Sequence, residues 1–447
     1  MVSAAEQLAS NLNLSAFAKA EDLKKRLWFT LGALIIYRLG TFIPLPGINP
    51  LAYAETFKNQ AAGILGMFNM FSGGALERLA IFALNIMPYI SASIIMQLMS
   101  SINPKLEALK KEGEAGRKQI NQYTRYLTVV LAALQAYGIA VGLEGQRNPA
   151  GAVVIDPGMF FRATTVITLV GGTMFLMWLG EQITQRGVGN GTSLIIFAGI
   201  VAGLPGALVQ LFELSRTGSI SPLVLIFFLA LALAVIAAIV FFERAQRRLL
   251  VQYPKRQVGN KMFQGDASHL PLKLNSSGVI PPIFASSLLL LPITVAQFSA
   301  GQGPEWLNNA VAALGQGQPL HMLVYALLIG FFAFFYTAVV INPKDTADNL
   351  RKYGGFLPGI RPGEKTAEYI DYVLTRITVV GALYLAAVCV LPEILTSYAG
   401  IPLYFGGTSL LIAVSVTMDT VAQVQSHLIA QQYEGLIKKA KLRGPKR

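Results

Sequence analysis

Side chains that could do catalytic or metal chemistry are few in this sequence and far apart. The three histidines, His269, His321 and His427, have no metal-ligand spacing between them. Neither an HExxH zinc motif nor a GxxxxGK[ST] phosphate loop occurs. We therefore predict no catalytic residue, no metal and no bound cofactor. Any work on a substrate is expected to be driven by an external motor or by a gradient.

Ionisable residues inside apolar segments are equally rare. Arg38 is the clear one, while Glu181, Glu393 and Asp419 fall near segment ends, where the favoured interpretation is an interfacial charge. Ion-coupled transporters usually carry membrane-embedded acids or histidines. A secondary transporter is therefore disfavoured, but it stays open as an alternative, as does a membrane scaffold.

The composition nevertheless places these residues in a membrane protein. Of the 447 residues, 53% are hydrophobic and 13% are charged, whereas a soluble domain carries about a quarter charged residues. The single cysteine, Cys389, lies in an apolar run and allows no disulfide framework. The N-terminus has no basic region followed by a short apolar run, so we expect no cleavable signal peptide.

Ten apolar segments approach the roughly 20 residues that cross a bilayer. They are residues 27–45, 79–101, 126–143, 160–180, 192–212, 222–242, 279–298, 320–341, 372–391 and 403–425. Counting residues at the segment ends with the adjoining connection, 30 of the 36 lysines and arginines fall in the two termini and the even-numbered connections, and only five fall in the odd-numbered ones. By the positive-inside rule, both termini are cytoplasmic. The predicted fold class is an all-α multi-pass membrane protein with ten transmembrane helices.

Five segments on each side of the middle predict two halves that enter the membrane from opposite sides. If the halves share a fold, they are inverted relative to each other and a functional site belongs at their interface. The predicted parts are a cytoplasmic N-terminal arm, 1–26; an N-terminal half, 27–216; a C-terminal half, 217–425; and a basic cytoplasmic tail, 426–447.

Two basic cytoplasmic loops, 243–278 and 342–371, are much longer than the other connections. Loops of this length are usually functional or disordered. The second contains FLPGIRPGE, residues 356–364, in which two Pro-Gly pairs surround Arg361. Such pairs predict a rigid turn that presents the side chain. Positive charge facing lipid headgroups is the alternative, but the turn chemistry favours a docking site for a partner.

Glycine and proline mark several further places. The stretch GILGMFNMFSGGALERLA, residues 63–80, is apolar, too short to span, and contains four glycines that disfavour a continuous helix. The pairs Gly138…Gly142 and Gly199…Gly203 have GxxxG spacing, which indicates helix packing. Pro88 and the pair Pro281-Pro282 predict one kinked or loosened helix in each half, which suits a gate.

Six motifs in this order are similar to those of the SecY family, the central subunits of the bacterial protein-conducting channel. The resemblance covers about residue 15 to the C-terminus. The motifs are GMFNMFSGGA (66–75), IMPYISAS (86–93), GEQITQRGVGNG (180–191), PGIRPG (358–363), FGGTS (405–409) and AQVQ (422–425).

The resemblance implies two inverted five-helix halves around a central pore, with a short plug helix within residues 61–78 that fills the outer funnel. The implied plug residues are Gly66, Met67, Phe68, Asn69, Met70, Phe71, Ser72, Gly73 and Gly74. The implied pore ring, which can exclude water when empty, is Ile86, Ile90, Thr192, Ile196, Ile283 and Ile412. Thr192 departs from the family's usual isoleucine and makes the ring slightly more polar there.

The resemblance also implies a lateral gate between spans two and seven, which releases signal sequences and membrane segments into lipid. The gate positions are Pro88, Ser91, Gln97, Asn275, Pro281 and Pro282. The implied docking residues for the ATPase SecA and for the ribosome are Arg361, Pro362, Gly363, Lys255 and Arg256. The other implied partners are the SecE and SecG subunits, signal-bearing preproteins and membrane lipids, in the bacterial inner membrane, without direct nucleotide binding.

Overall fold

A computed structural model describes residues 21–60, 69, 71–144, 147–148, 151–218, 221–253, 256–258, 261–263, 267–298, 313, 318–399 and 407–441. This part of the chain is mostly helical. Its helices are α1 (Glu21–Gly40), α2 (Pro50–Gln60), α3 (Met87–Ile102), α4 (Pro104–Lys111), α5 (Glu114–Glu144), α6 (Met159–Arg186), α7 (Gly191–Arg216), α8 (Pro222–Arg244), α9 (Ile280–Phe298), α10 (Pro319–Val340), α11 (Pro343–Lys352), α12 (Glu364–Ala399) and α13 (Gly407–Lys441).

Within the described residues, seven helices are long and apolar enough to cross a membrane. They comprise α5 to α8, α12, α13 and the stretch Pro319–Lys352, which contains α10 and α11. Two shorter apolar helices lie in α3 and α9, and α1 covers most of the first predicted segment. The chain is thus a multi-pass membrane protein, while the count of ten crossings stays a prediction.

The second predicted segment, 79–101, is helical only in its second part. Helix α3 begins at Met87, and residues 72–86 form turns instead. Leu79 and Asn85 have left-handed backbone, with φ of 42° and 48°, which is uncommon for residues other than glycine. The predicted helix start was therefore wrong, because apolar composition specifies burial and not the backbone conformation.

Short antiparallel strand pairs add to the helices. β1 (Arg147–Asn148) pairs with β2 (Gly151–Ala152), β3 (Gln246–Gln252) with β6 (Ala267–Lys273), and β4 (Arg256–Val258) with β5 (Lys261–Phe263). An all-α fold did not predict these strands. In β3 the only fully buried side chains are Leu249 and Val251, too short an alternation to stand out in a basic loop.

The chain divides into two compact units. Unit 1 comprises Met1–Ala92, Thr124–Leu208 and Ile412–Arg447, and unit 2 comprises Ser93–Tyr123 and Val209–Leu411. Most of α13 therefore belongs with the N-terminal helices of unit 1.

In unit 1, the loop between α6 and α7 ties several helices together. The Val188 N–H donates to Thr30 Oγ1 of α1 (3.1 Å), and the Gly189 N–H donates to Gln423 Oε1 of α13 (2.9 Å). Val188 also packs with Leu23 in a small buried cluster. The GEQITQRGVGNG and AQVQ motifs thus meet through a hydrogen bond between Gly189 and Gln423.

In unit 2, α12 and the start of α13 meet at a proline. Pro392 lies inside α12 and has no N–H to donate to the carbonyl of Val388, four residues earlier. A Cβ at Gly407, the first residue of α13, would overlap that same carbonyl oxygen. The glycine of the FGGTS motif therefore lets the two backbones approach closely at this point.

Candidate plug, pore and docking site

Residues 71–86, called the turn segment below, lie between α2 and α3 in the core of unit 1. Leu76, Leu79 and Leu84 are buried there in one cluster with side chains of α2 and α5. The segment also pairs with the chain that follows α1, because the Leu45 N–H donates to the Leu79 carbonyl and the Ile81 N–H donates to the Ile43 carbonyl. A segment without helix or sheet thus lies inside a helical unit.

The end of α1 supplies two donors to the turn segment. The Tyr37 hydroxyl donates to the Ser72 carbonyl (3.1 Å), and Arg38 Nη1 donates to the Gly73 carbonyl (2.5 Å). Tyr37 is completely buried. Gly73 has φ of 66°, a left-handed conformation that glycine adopts without steric cost. Arg38, the arginine that stands out in the sequence, is half-buried and is therefore a hydrogen-bond donor to the predicted plug.

Two more donors come from the end of the turn segment itself and from α2. Asn85 Nδ2 donates to the Phe71 carbonyl (2.6 Å), and the Tyr53 hydroxyl of α2 donates to the Leu76 carbonyl (3.0 Å). Burial raises the pKa of Tyr53, and the nearby Glu77 carboxylate raises it further. The phenol therefore keeps its proton and can donate it.

Within the predicted plug, Asn69 organises the following turn. The Gly74 N–H donates to the Asn69 carbonyl (2.9 Å), and the Glu77 N–H donates to Asn69 Oδ1 (2.9 Å). Phe71, Ser72 and Gly73 are buried and Gly74 is half-buried. The other predicted plug residues, Gly66, Met67, Phe68 and Met70, lie outside the described residues, so the predicted plug helix cannot be delimited.

The predicted ring positions are mostly buried. Ile86, Ile90, Ile196 and Ile412 belong to unit 1 and are buried, and Thr192 of the same unit is half-buried. Ile86 and Ile90 lie one turn apart, with the Ile90 N–H donating to the Ile86 carbonyl. Ile283 is half-buried in unit 2. The existence of a ring stays a prediction.

The predicted gate prolines do not kink helices. Pro88 is the second residue of α3, and Pro281 and Pro282 are the second and third residues of α9. In the first turn of a helix the N–H has no intrahelical partner, so proline is tolerated there. The expected kinks were therefore wrong, and these prolines instead begin both helices.

The polar gate residues differ in their contacts. Asn275 lies in the turn before α9, where its Nδ2 donates to Glu243 Oε1 (2.6 Å) at the end of α8 and to the Gly278 carbonyl (3.0 Å). Gln97 of α3 donates weakly to Ser93 Oγ (3.4 Å), and its Oε1 is buried without a hydrogen-bond partner. Ser91 is buried in the same helix.

The predicted docking turn contains two glycines with left-handed backbone. Gly359 and Gly363 have φ of 82° and 107°, and the Thr366 hydroxyl donates to the Arg361 carbonyl (2.9 Å). Arg361 and Pro362 are exposed and Gly363 is buried. The Arg361 guanidinium makes no hydrogen bond or ion pair within the described residues, so the turn presents a free cation.

The two long basic loops of unit 2 form one surface. Leu357, next to the docking turn, is buried in a cluster with Leu249, Val251 and Leu272 of the β3–β6 hairpin. Backbone bonds of 2.9 Å in both directions join Gln252 and Phe356. The parts of these loops that the structure describes therefore pack against each other. Lys255 lies outside the described residues, as does the side chain of Arg256.

Comparison with known proteins decides the family. A family model described as SecY matches residues 80–421. The chain belongs to the SecY family. Two proteins named "Protein translocase subunit SecY" are similar over 95% of this chain: that of Rickettsia bellii (strain RML369-C) is 59% identical and matched over 98% of its length, and that of Escherichia coli (strain K12) is 56% identical and matched over 96%.

Solved structures share the fold of this SecY-family chain at low sequence identity. One described as "The structure of a protein conducting channel" has a TM-score of 0.62 at 17% identity, covering 91% of this chain and 92% of that one. Sec61 in the canine ribosome-channel complex has a TM-score of 0.63 at 16% identity with the same coverage.

One polar group of this SecY-family protein was missed at the level of sequence. Glu393, expected as an interfacial charge, is buried in unit 2, where its Oε1 lies 2.9 Å from His321 Nδ1. One turn along α10, the Tyr325 hydroxyl lies 2.8 Å from Thr408 Oγ1 of α13. Only the apolar residues around His321 in the sequence could have indicated that this histidine needs a buried partner.

Proposed function

We propose that this protein is the central subunit of a protein-conducting channel. It translocates unfolded, signal-bearing polypeptides across the bacterial inner membrane and releases membrane segments sideways into the lipid. It is not an enzyme, and SecA or the ribosome supplies the driving force. Membership of the SecY family supports this proposal.

The observation that carries the proposal is the irregular turn segment inside a helical unit. Main-chain groups inside a membrane protein need partners because water is absent, and here side chains serve as those partners. Side-chain partners can be released without breaking a helix, which suits a plug that leaves and returns. The buried aliphatic residues at positions 86, 90, 196 and 412 suit a ring that excludes water around an empty pore.

The gate and the partners follow from the same proposal. Helices α3 and α9, which carry Pro88, Pro281 and Pro282 in their first turns, separate to open the gate, with Ser91, Gln97 and Asn275 along the seam. The exposed Arg361 beside the basic hairpin contacts SecA or the ribosome. SecE and SecG complete the complex. Both termini are cytoplasmic, and the halves 27–216 and 217–425 are inverted around the pore.

Uptake of a signal-bearing precursor into liposomes tests the proposed function. The liposomes hold this chain with SecE and SecG and are assayed with and without SecA. We expect protease-protected precursor only when SecA and ATP are both present. Absence of protection from a folded complex would overturn the channel.

One observation favours a small-solute transporter as the second candidate. The buried pair of His321 and Glu393 is the kind of group through which transporters couple ions. A transporter predicts saturable tracer uptake that responds to a proton gradient and is lost on Glu393→Gln. The channel predicts no such uptake, so the same liposomes separate the two functions.

A further inference from the structure

Three consecutive carbonyl oxygens of the turn segment each accept a hydrogen bond from a different side chain. Those of Phe71, Ser72 and Gly73 accept from Asn85, Tyr37 and Arg38 respectively. Phe71 and Ser72 are 3% and 1% exposed, so their carbonyls have no access to water in this conformation. The three donors therefore hold this stretch of backbone in place.

Two glycines on neighbouring helices lie against the backbone of the turn segment. A Cβ at Gly199 of α7 would overlap the Phe71 carbonyl oxygen, and a Cβ at Gly172 of α6 would overlap the Ile81 carbonyl oxygen. A Cβ at Gly203, one turn beyond Gly199, or at Gly171 would meet nothing within 4 Å. The expected GxxxG packing role thus does not describe Gly199, which accommodates the backbone of the turn segment.

Asn85, in the same turn segment, has both a strained backbone and an unsatisfied polar atom. Asn85 has a φ of 48° and is 2% exposed, and its Oδ1 has no hydrogen-bond partner. A left-handed backbone and an unpaired buried oxygen both cost free energy in the closed arrangement. Residues that stay strained where the surroundings hold them are typical of switch regions.

The Arg38 guanidinium is oriented from a second side. It stacks on the Phe42 ring, 4.7 Å from the ring centroid, and approaches Thr41 Oγ1 to 3.4 Å. Arg78 stacks on the same ring at 4.1 Å, but it donates to no main-chain carbonyl within the described residues. Arg38 and Arg78 thus share one environment, and only Arg38 holds the turn segment.

We propose that Tyr37, Arg38 and Asn85 form a latch, and that Gly172 and Gly199 form a seat, which together determine how tightly the turn segment closes the channel. This inference rests on the proposed function. Releasing one donor, or adding one methyl group to the seat, shifts the segment toward its open position. The latch and seat residues position the plug and contact no substrate in this arrangement.

The seat is tested by ion leak from liposomes that hold the complete complex. We expect Gly199→Ala and Gly172→Ala each to raise the leak by at least about tenfold, the effect of about 1.4 kcal/mol of overpacking. The matched controls Gly203→Ala and Gly171→Ala should stay within about twofold of the parent protein, since their methyl groups meet open space.

The latch is tested by substitutions that remove or shorten a hydrogen-bond donor and add no side-chain volume. Tyr37→Phe keeps the ring and removes the donor, and Arg38→Gln shortens the donor, so both should raise the leak. Arg78→Gln is the matched control for Arg38→Gln and should not raise it. Precursor uptake by the same liposomes checks that each variant is folded, and Tyr37→Phe keeps the test available if an alanine variant does not assemble.

Deletion of residues 63–78 distinguishes a failure of the latch from a failure of the proposed plugged channel. If the deletion leaks while the seat and latch variants seal like the parent protein, the latch is overturned and the channel stands. If the controls leak as strongly as Gly199→Ala, the assigned contacts are overturned as well. If the deletion itself does not leak, the plugged channel is overturned.

Discussion

His321 Nδ1 of α10 lies 2.9 Å from Glu393 Oε1 of α12, and the two side chains are 4% and 7% exposed. The two atoms are within contact distance, although Nδ1 has no partner in hydrogen-bond geometry. In the low dielectric of a helical membrane unit, each group makes the burial of the other less costly.

Loss of one partner of this pair should destabilise unit 2. His321→Leu leaves the Glu393 carboxyl buried without its imidazole, which for a buried pair costs about 3–5 kcal/mol. We expect a lower midpoint of thermal unfolding in detergent. The double variant His321→Leu/Glu393→Leu should recover most of the loss. The control His269→Leu changes an exposed histidine in β6 and should alter stability by less than about 0.5 kcal/mol; an equal loss there would contradict this prediction.

A methyl group at Gly407 should disturb the contact between α12 and α13. It would overlap the Val388 carbonyl oxygen that Pro392 leaves without its helical partner. Overpacking of this kind costs about 1–3 kcal/mol, measured as a shift in the unfolding midpoint. Gly330→Ala in α10 meets nothing within 4 Å and should be neutral or stabilising, because alanine favours a helix by about 0.5–1 kcal/mol over glycine.

Reversal of the charge of Arg361 should stop ATP-driven export. The side chain is exposed on a glycine-bounded turn and has no hydrogen bond or ion pair within the described residues, so Arg361→Glu should leave the fold intact. Precursor uptake with SecA should fall at least about tenfold, as when one charge of a desolvated contact is lost. Lys352→Glu changes an exposed charge at the end of α11 and should have a clearly smaller effect. Normal export by Arg361→Glu would remove this residue from the docking site.

Substitution of Gln97 should change the signal sequences that the gate accepts. Gln97→Leu removes a buried oxygen that lacks a hydrogen-bond partner and so stabilises the apolar packing around α3. We expect a more hydrophobic signal to be needed for the same rate of precursor uptake, measured with a series of graded signals. Ser101→Ala, at an exposed position of α3, should keep the original threshold. An unchanged threshold for Gln97→Leu would argue against its role in the gate.

Asn275→Leu should act on the same threshold by a different route. The amide joins the end of α8, through Glu243, to the turn before α9. Loss of these two hydrogen bonds frees the turn before α9, so a less hydrophobic signal should suffice for the same rate of precursor uptake. Ser276→Ala changes the half-buried neighbour in the same turn, whose hydroxyl donates to the Lys273 carbonyl and not to α8, and should have little effect on the signal series.

The helices with long apolar runs were predictable, and the irregular segments were not. Helices α5 to α8, α10 and α12 match predicted spans because a continuous apolar run of this length has few other structures in a membrane. The start of α3 was not predictable, since residues 79–86 are as apolar as the helix that follows. The hairpin of β3 and β6 was missed for two reasons. The alternation of buried and exposed side chains in β3 is short, and β6 follows β3 in the chain only after a long connection.

The residues of the candidate site also fall into two groups, those that the sequence indicates and those that only the structure reveals. The glycine-rich stretch, the docking turn and the arginine within the first apolar segment, Arg38, are local features, and each is visible in a few neighbouring residues. The donors to the turn segment are not, since Tyr37 lies 35 positions from Ser72. Gly199 looked like a helix-packing glycine because GxxxG spacing carries no information about which backbone approaches it.

The sequence by itself thus determined the membrane environment, the approximate spans and the basic loops, because hydrophobicity and charge act residue by residue against lipid and water. The tertiary structure decided which carbonyls of the turn segment meet Tyr37, Arg38 and Asn85, which glycines receive its backbone, and that Glu393 pairs with His321. These relationships join residues far apart in the chain, and only the packing of helices against one another brings such residues to hydrogen-bond distance.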